Sequence, residues 1–278
     1  MPPRITPHLT GVPETMLWAL YNRAAEARRP DALIADPLAI QIADAIEYDY
    51  ARSFGRPESG HVIRALSSDQ VLRTWLQYHP GGQVVALGEG LETQFHRVDD
   101  GRVRWLAIDL PEAIAVRSLF LPDSDRHLNL ACSAFDLRWM EAVDPCQGVF
   151  VTAVGLLKYF SPHEVRQLVA AIAERYSTVE MFFDVMPRLL VRLTQAGWYR
   201  RTRHYAVPAM QWGLNRNELS TLRTWHPNIA EVHEVALQDG RGVTYQIVLP
   251  VLRHLPWIKN SLFSLVHIRC RPSGELVK

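Results

Sequence analysis

The residues best placed to do chemistry are the run Gly88-Glu89-Gly90-Leu91-Glu92-Thr93 and the acid Asp109. The glycines follow the short apolar stretch Gln83 to Leu87, and a G-x-G at a strand end lets the backbone turn sharply and approach a ligand closely. Asp109 closes the next such stretch, nineteen positions after Gly90. A carboxylate there can accept hydrogen bonds from both hydroxyls of an adenosine ribose. Sheets that bind NAD and sheets that bind S-adenosylmethionine share this pattern. Two details favour the second. Thr93 replaces the third glycine of G-x-G-x-x-G, and Glu89 and Glu92 lie inside the loop, where they would repel a pyrophosphate. A sulfonium cation is instead stabilised by acidic neighbours.

Other side chains compete for attention. Tyr21 and Arg23 are candidates to line an acceptor pocket, although Tyr21 also reads as a core residue. Arg192, Arg200, Arg201 and Arg203 form a basic group that either faces solvent or attracts an anionic acceptor. His204 and His226 are candidate general bases, and His163 is explained by a helix start. No HExxH, GxSxG or P-loop sequence is present, so hydrolase and nucleotide-triphosphate readings lack support. Cys132, Cys146 and Cys270 are odd in number with no CxxC spacing, which favours buried or half-buried reduced thiols over a disulfide framework or a metal site.

These residues need a scaffold. The 278 residues, 48% hydrophobic and 21% charged, suffice for a large core, and the net charge of +1 gives no field favouring nucleic acid or membrane. The proline-broken N-terminus lacks an apolar signal region, and no stretch approaches 18 uninterrupted apolar residues, so the expected location is the cytoplasm. Leu17, Leu20, Tyr21 and Ala24 recur at helical spacing, with Pro30 ending that helix. Further helices are predicted from Pro37 to about Ile46 and from Arg64 to Tyr78. Strands are predicted at 83–87, 103–108, 127–131, 148–153 and 178–183. Helices fall between them, including 111–120 and one from 162 to 176 opened by the capping box Ser161-Pro162-His163-Glu164. This alternation implies a doubly wound α/β core with a parallel sheet. Residues 186–216 break the rhythm as an inserted cap. A helix at 217–224, a strand at 231–237, a helix at 243–257 and a final strand at 262–269, antiparallel at the end, complete the reading. The expected division is 1–80 helical extension, 81–185 cofactor half, 186–225 cap and helix, and 226–278 closing strands.

The segments GVPETMLWALYNRAAEARRPDALIADPLA, VVALGEGLETQFHRV, VRWLAIDLPEAI and GVFVTAVGLLKYFSPHEV resemble successive motifs of the leucine carboxyl methyltransferase family, and within it the tetracenomycin-type polyketide branch. The resemblance covers roughly residues 12 to 184, weakens across the cap and returns in QWGLNRNEL. It implies a class I S-adenosylmethionine-dependent methyltransferase fold with a helical extension and a cap over the acceptor. It implies that Arg64 pairs with the cofactor's carboxylate, that Gly88, Glu89 and Gly90 shape the loop, and that Asp109 and Leu110 flank the ribose. Asp136 is expected to meet the adenine amino group, with Leu137 and Val154 near the cofactor, and Tyr159 joins Tyr21, Arg23, Arg192, Arg203 and His204 as an acceptor candidate. Two positions depart from the family: Val154 stands where many relatives have glutamate before Gly-Leu-Leu, and Gln94 where an arginine is common. The resulting expectation is O-methylation of a small polyketide-like or aromatic carboxylate, without metal, and with no catalytic residue assigned. The alternatives are a phenol or hydroxyl acceptor served by His204 or His226, and a cofactor-binding chain that no longer methylates.

Overall fold

The computed structural model describes residues 4–255 and 258–271. Four helices precede the first strand: α1 (Thr15–Ala27), α2 (Pro37–Ala45), α3 (Tyr50–Phe54) and α4 (Gly60–Tyr78). Proline at the first position and the Asp36 carboxylate, which accepts from Ala39 N at 3.0 Å, start α2. The short α3 was not foreseen, and α4 begins four residues before Arg64. Then come β1 (Gln83–Leu87), α5 (Gln94–Val98), β2 (Arg104–Asp109), α6 (Pro111–Arg117), β3 (His127–Ala131), β4 (Val149–Ala153), α7 (Pro162–Arg175) and β5 (Glu180–Val185). The chain closes with α8 (Arg188–Gln195), β6 (Ile229–Val235), a π-helical turn at Thr244–Val248 running into α9 (Leu249–His254), and β7 (Ser264–Cys270).

The seven strands stand in the order β3-β2-β1-β4-β5-β7-β6. The first five are mutually parallel, while β7 runs antiparallel to both β5 and β6, as expected for the final pairing. The order reverses between β1 and β4, so the crevice beyond their carboxyl ends is the natural ligand site.

Side chains alternate across this sheet with period two. Val85, Leu87, Val151 and Phe183 pack on one face with Leu168 and Ile172 of α7. Val84, Ala86, Phe150 and Phe182 pack on the other with Leu72 and Trp75 of α4 and Phe95 of α5. A third cluster joins α1, α2 and α3 to Val191 of α8 and to Tyr205, Val207 and Met210 beyond it. Fully burying each large apolar side chain contributes about 1.5–3 kcal/mol. The N-terminal helices therefore roof the sheet rather than hang from it.

Where predicted bounds moved, they moved by one to four residues. The cap contains the regular helix α8, and the stretch predicted at 217–224 is a 3-10 helix at Arg216–Thr224. The helix expected at 243–257 reaches His254, and residues 256–257 lie outside the described residues. Cys146 is exposed, not half-buried. Among the described residues no helix is long and apolar enough to cross a membrane.

The capping box at Ser161 has both halves: Ser161 N donates to Glu164 Oε2 at 2.8 Å, and Ser161 Oγ accepts from Glu164 N at 3.3 Å. Ser161→Ala is expected to cost about 1 kcal/mol of stability, read as a lower urea midpoint at unchanged m-value.

Candidate functional site

The carboxyl ends of β1, β2, β4 and β5 open into one cavity of about 590 Å³, roofed by α1, by the start of α4, by cap residues Tyr199, Val207 and Met210, and by the segment around Tyr245 and Leu249. Its floor is the loop after β1. Gly88 (φ +64°) and Gly90 (φ +52°) both adopt left-handed backbone. A Cβ on Gly90 would sit 2.6 Å from Met16, and one on Gly88 2.7 Å from Leu156. Sharp turning and close packing both demand glycine here.

Three buried arginines hold this loop from behind. From α1, Arg23 donates to Leu91 O at 2.7 Å and pairs with Asp36 at 3.1 Å and Glu92 at 2.8 Å. Arg117 of α6 donates to the carbonyls of Gly90 and Glu92, each at 2.8 Å, and faces Glu89 at 3.4 Å. Arg97 of α5 meets Asp69 at 2.8 Å, Asp36 at 3.0 Å and Glu92 at 2.6 Å. Burial pushes the Glu92 carboxyl upward, but Arg23 and Arg97 outweigh it and hold the group down at about 2. Glu89 goes the other way. Burial lifts it to about 7 despite Arg117 and the Trp105 indole N–H, which donates at 2.9 Å.

This arrangement corrects the sequence-based electrostatics. Glu89 and Glu92 face arginines, so selection against a pyrophosphate does not rest on them. Arg23, expected beside the acceptor, is locked in the wall. Gln94 donates to Ser68 Oγ at 2.8 Å and Asp69 Oδ1 at 3.0 Å. Gln94 thus joins α4 to α5 through neutral hydrogen bonds.

Asp109 ends β2 as expected. Its Oδ2 accepts from Gly90 N at 2.7 Å and its Oδ1 from Leu110 N at 2.8 Å. Burial raises its pKa against the pull of those two N–H groups. Each oxygen retains a lone pair, so the carboxylate is aimed and still able to accept two hydroxyls. Leu110, Val154 and Tyr159 also line the cavity.

Arg64 lies in the cavity wall, but its NH1 donates to Asp184 Oδ2 at 3.3 Å. Asp184, on the apolar strand β5, is fully buried and also accepts from the backbone N–H of Gly155. Lys158 brings its ammonium to 3.7 Å from the same Asp184 oxygen. Burial works against the Asp184 anion, yet Lys158 and Arg64 hold its pKa below the usual range. Burial pulls Lys158 down to about 8, with Asp184 resisting and Arg64 reinforcing. Sequence reasoning missed both residues. The available signals were an acid inside Met181-Phe182-Phe183-Asp184-Val185 and a lysine between Leu157 and Tyr159, one of three lysines among 30 basic residues.

His61 was missed as well. Asn22 Oδ1 accepts from Glu58 N at 3.2 Å, which turns its Nδ2 toward His61 Nδ1 at 2.7 Å. That hydrogen bond makes Nδ1 an acceptor and leaves the proton on Nε2. Burial first, then Arg64 and Lys158, hold the imidazole pKa well below its ordinary value. His61 therefore offers the cavity a neutral N–H donor.

The remaining sequence candidates stand elsewhere. Tyr21 stacks on Tyr50 at 5.2 Å and donates to Gly55 O, outside the lining. Arg192, Arg203 and His204 are exposed. Arg201 anchors the cap instead, donating to Phe54 O at 2.7 Å and Arg56 O at 2.9 Å. Asp136 caps the helix after it and is held by Arg138, and both Asp136 and Leu137 lie outside the lining. Neither His204 nor His226 reaches the cavity.

Two predictions follow from the arginine lattice. Between about pH 4.5 and 7 the folded state holds the Glu89 proton that the unfolded chain has released, so this group's contribution to stability declines as pH rises through that window and is level above it. Glu89→Gln removes the dependence. Urea titrations at pH 5 and pH 8 are expected to show wild type losing on the order of 2 kcal/mol relative to the variant, and a constant difference would refute the assignment. Arg97→Met leaves Asp36 and Glu92 to share Arg23 alone and takes from Asp69 its buried cation. It is expected to cost about 3–5 kcal/mol, read in the same titrations.

The sequence model described as leucine carboxyl methyltransferase matches residues 16–173 of the chain. The tetracenomycin polyketide synthesis O-methyltransferase TcmP of Streptomyces glaucescens is 28% identical over 212 residues, 75% of this chain and 77% of that protein. Similar solved structures include an O-methyltransferase family protein from Burkholderia thailandensis (17% identity, TM-score 0.42, 95% of this chain and 71% of that one). Another is magnesium protoporphyrin IX methyltransferase from Synechocystis PCC 6803 (10% identity, TM-score 0.45, 76% of this chain and 84% of that one).

Proposed function

We propose a specific acceptor chemistry for this chain, which belongs to the leucine carboxyl methyltransferase family: O-methylation of a small polyketide-like or aromatic carboxylate. The chain is a methyltransferase whose cofactor is S-adenosylmethionine. The named role of TcmP in polyketide synthesis supports a small acceptor. The observation that carries the carboxylate is the buried pair of cations, Arg64 and Lys158, which share the single carboxylate of Asp184 in the cavity wall and so favour an anionic ligand. A carboxylate is already ionised at pH 7 and needs no base, whereas a phenol, with an unperturbed pKa of about 10, does. His61 has its lone pair engaged by Asn22 and is not that base, and the Lys158 ammonium is mainly charged below pH 8.

The residues present fit the cofactor. Asp109 is aimed to accept the ribose hydroxyls, the bare backbone at Gly88 and Gly90 admits the chain of the methionine moiety, and the Arg64 guanidinium stands in the wall to face its carboxylate. When bound, S-adenosylmethionine supplies the methyl group on its sulfonium for in-line displacement by an oxygen. The roof formed by α1, the cap and the Tyr245 segment covers the cavity, and a covered site filled by its ligands limits competing attack by water. Catalysis then rests on alignment, which can supply roughly 7–11 kcal/mol in favourable cases.

Calorimetric titration with S-adenosylhomocysteine is expected to give micromolar binding that Asp109→Ala weakens by about tenfold or more, while NAD gives none. Preference for NAD would defeat the cofactor reading. With an aromatic acid as acceptor, turnover is expected to stay level from pH 6 to 7.5. A rise through that range, or turnover of phenols alone, would replace the carboxylate by a hydroxyl acceptor.

A further inference from the structure

We propose that Lys158 holds the acceptor's carboxylate, with the Nε2–H of His61 as its second donor; this rests on the carboxylate reading above and names the residues that enforce it.

Charge balance supports it first. The buried arginines of the wall have acids of their own: Arg23 has Asp36 and Glu92, Arg97 has those two and Asp69, and Arg117 has Glu89. Arg64 and Lys158 share one carboxylate, that of Asp184. Two cations against one anion leave a buried surplus of positive charge. Burying an unpaired charge is costly, so such a site is stable where an anion completes it. The cofactor brings one carboxylate and the acceptor a second.

Position then divides the two cations. Asp109 ends β2, and Asp184 lies on β5, three strands away in the order β2-β1-β4-β5. At about 4.8 Å per strand that is roughly 14 Å across the sheet. Arg64 stands against Gly155 at the end of β4, where a Cβ on that glycine would lie 3.2 Å from its NH2. Both cations meet the same Asp184 oxygen, and Arg64, against the end of β4 beside β1, is the one read above as facing the cofactor's carboxylate, which leaves Lys158 for the acceptor. Lys158 follows in the turn after β4, its ammonium 5.3 Å from the centre of the Tyr159 ring, on a cavity wall that is mainly apolar. An ammonium beside an aromatic ring suits an aromatic acid.

Both donors can still hydrogen-bond an ester carbonyl, but methylation removes the charge attraction to the Lys158 ammonium. The product carries no charge, so the cation that holds the reactant releases the product. The charged and titratable groups facing Lys158 are Asp184, Arg64, His61 and Tyr159, and of these burial keeps Tyr159 protonated, its pKa at about 12. At pH 8 the ammonium is about half formed, so an arriving carboxylate draws a proton from solvent.

The test uses naphthoate and naphthamide as probes of the full-length protein, titrated calorimetrically with and without saturating S-adenosylhomocysteine, at pH 8 in two buffers of different ionisation enthalpy. Wild type is expected to prefer naphthoate and to take up a fraction of a proton per ligand bound. Lys158→Met is expected to lose at least about tenfold in naphthoate affinity and the proton uptake, with S-adenosylhomocysteine affinity intact, and Lys158→Arg to recover most of the binding. Intact S-adenosylhomocysteine binding also shows that the variant is folded. If wild type prefers naphthoate but Lys158→Met binds it equally, the assignment of Lys158 is overturned while the carboxylate reading stands. If Lys158→Met loses S-adenosylhomocysteine in step with naphthoate, the ammonium serves the cofactor's own carboxylate and the proposal falls. If wild type shows no preference for the acid, the proposal and the carboxylate reading fall together.

Discussion

The structure depends on keeping buried charge paired behind the loop after β1. Arg23, Arg97 and Arg117 come from three different helices, and each reaches either a carbonyl of residues 90–92 or a carboxylate that another arginine shares. An unpaired ion in such a place costs several kcal/mol, while a fully hydrogen-bonded set is tolerable and highly directional. The lattice thus permits few loop conformations. It also joins parts of the chain that the sequence presents separately. Asp36 is at once the N-cap of α2 and the partner of arginines on α1 and α5, and Asp69 ties α4 to α5. The helices before β1 shape the cofactor floor as well as its roof.

Much of the scaffold could be read because its cause is local. The runs at 83–87 and 127–131 are strands with the predicted bounds, since short apolar runs between turn signals leave little choice. The capping box at Ser161 placed α7 to within a residue. Gly88, Gly90 and Asp109 were legible for a similar reason. A strand end, a tight turn and an acid at the next strand end are all encoded within thirty residues.

Side-chain direction was not legible in this way. Arg23 looks the same in sequence whether it faces an acceptor or a neighbouring loop, and only the packing of α1 on α2 sends it to Asp36 and Leu91 O. Asp136 follows β3 as the family pattern asks, yet the adjacent Arg138 claims its carboxylate. His61 and Lys158 were invisible for the opposite reason. Neither belongs to a motif, and each acquires its chemistry from partners distant along the chain: Asn22 for the histidine, Asp184 for the lysine.

The departure at Val154 takes on meaning in this light. A glutamate at the end of β4 would stand in the same wall as Arg64, Lys158 and Asp184, and would bring that group to two cations and two anions. Valine leaves the anion count at one. The lost acid and the buried lysine four residues later therefore act in the same direction, each making the pocket more positive. Two residues that look unrelated in sequence set one electrostatic quantity, the potential at the far end of the cavity, and that quantity decides whether an anion is drawn in. The floor, where Arg23, Arg97 and Arg117 meet acids, is held by paired charge, while Arg64 and Lys158 at the far end share one carboxylate. A change of charge at position 154 or 158 therefore alters the potential there without touching the lattice behind the loop.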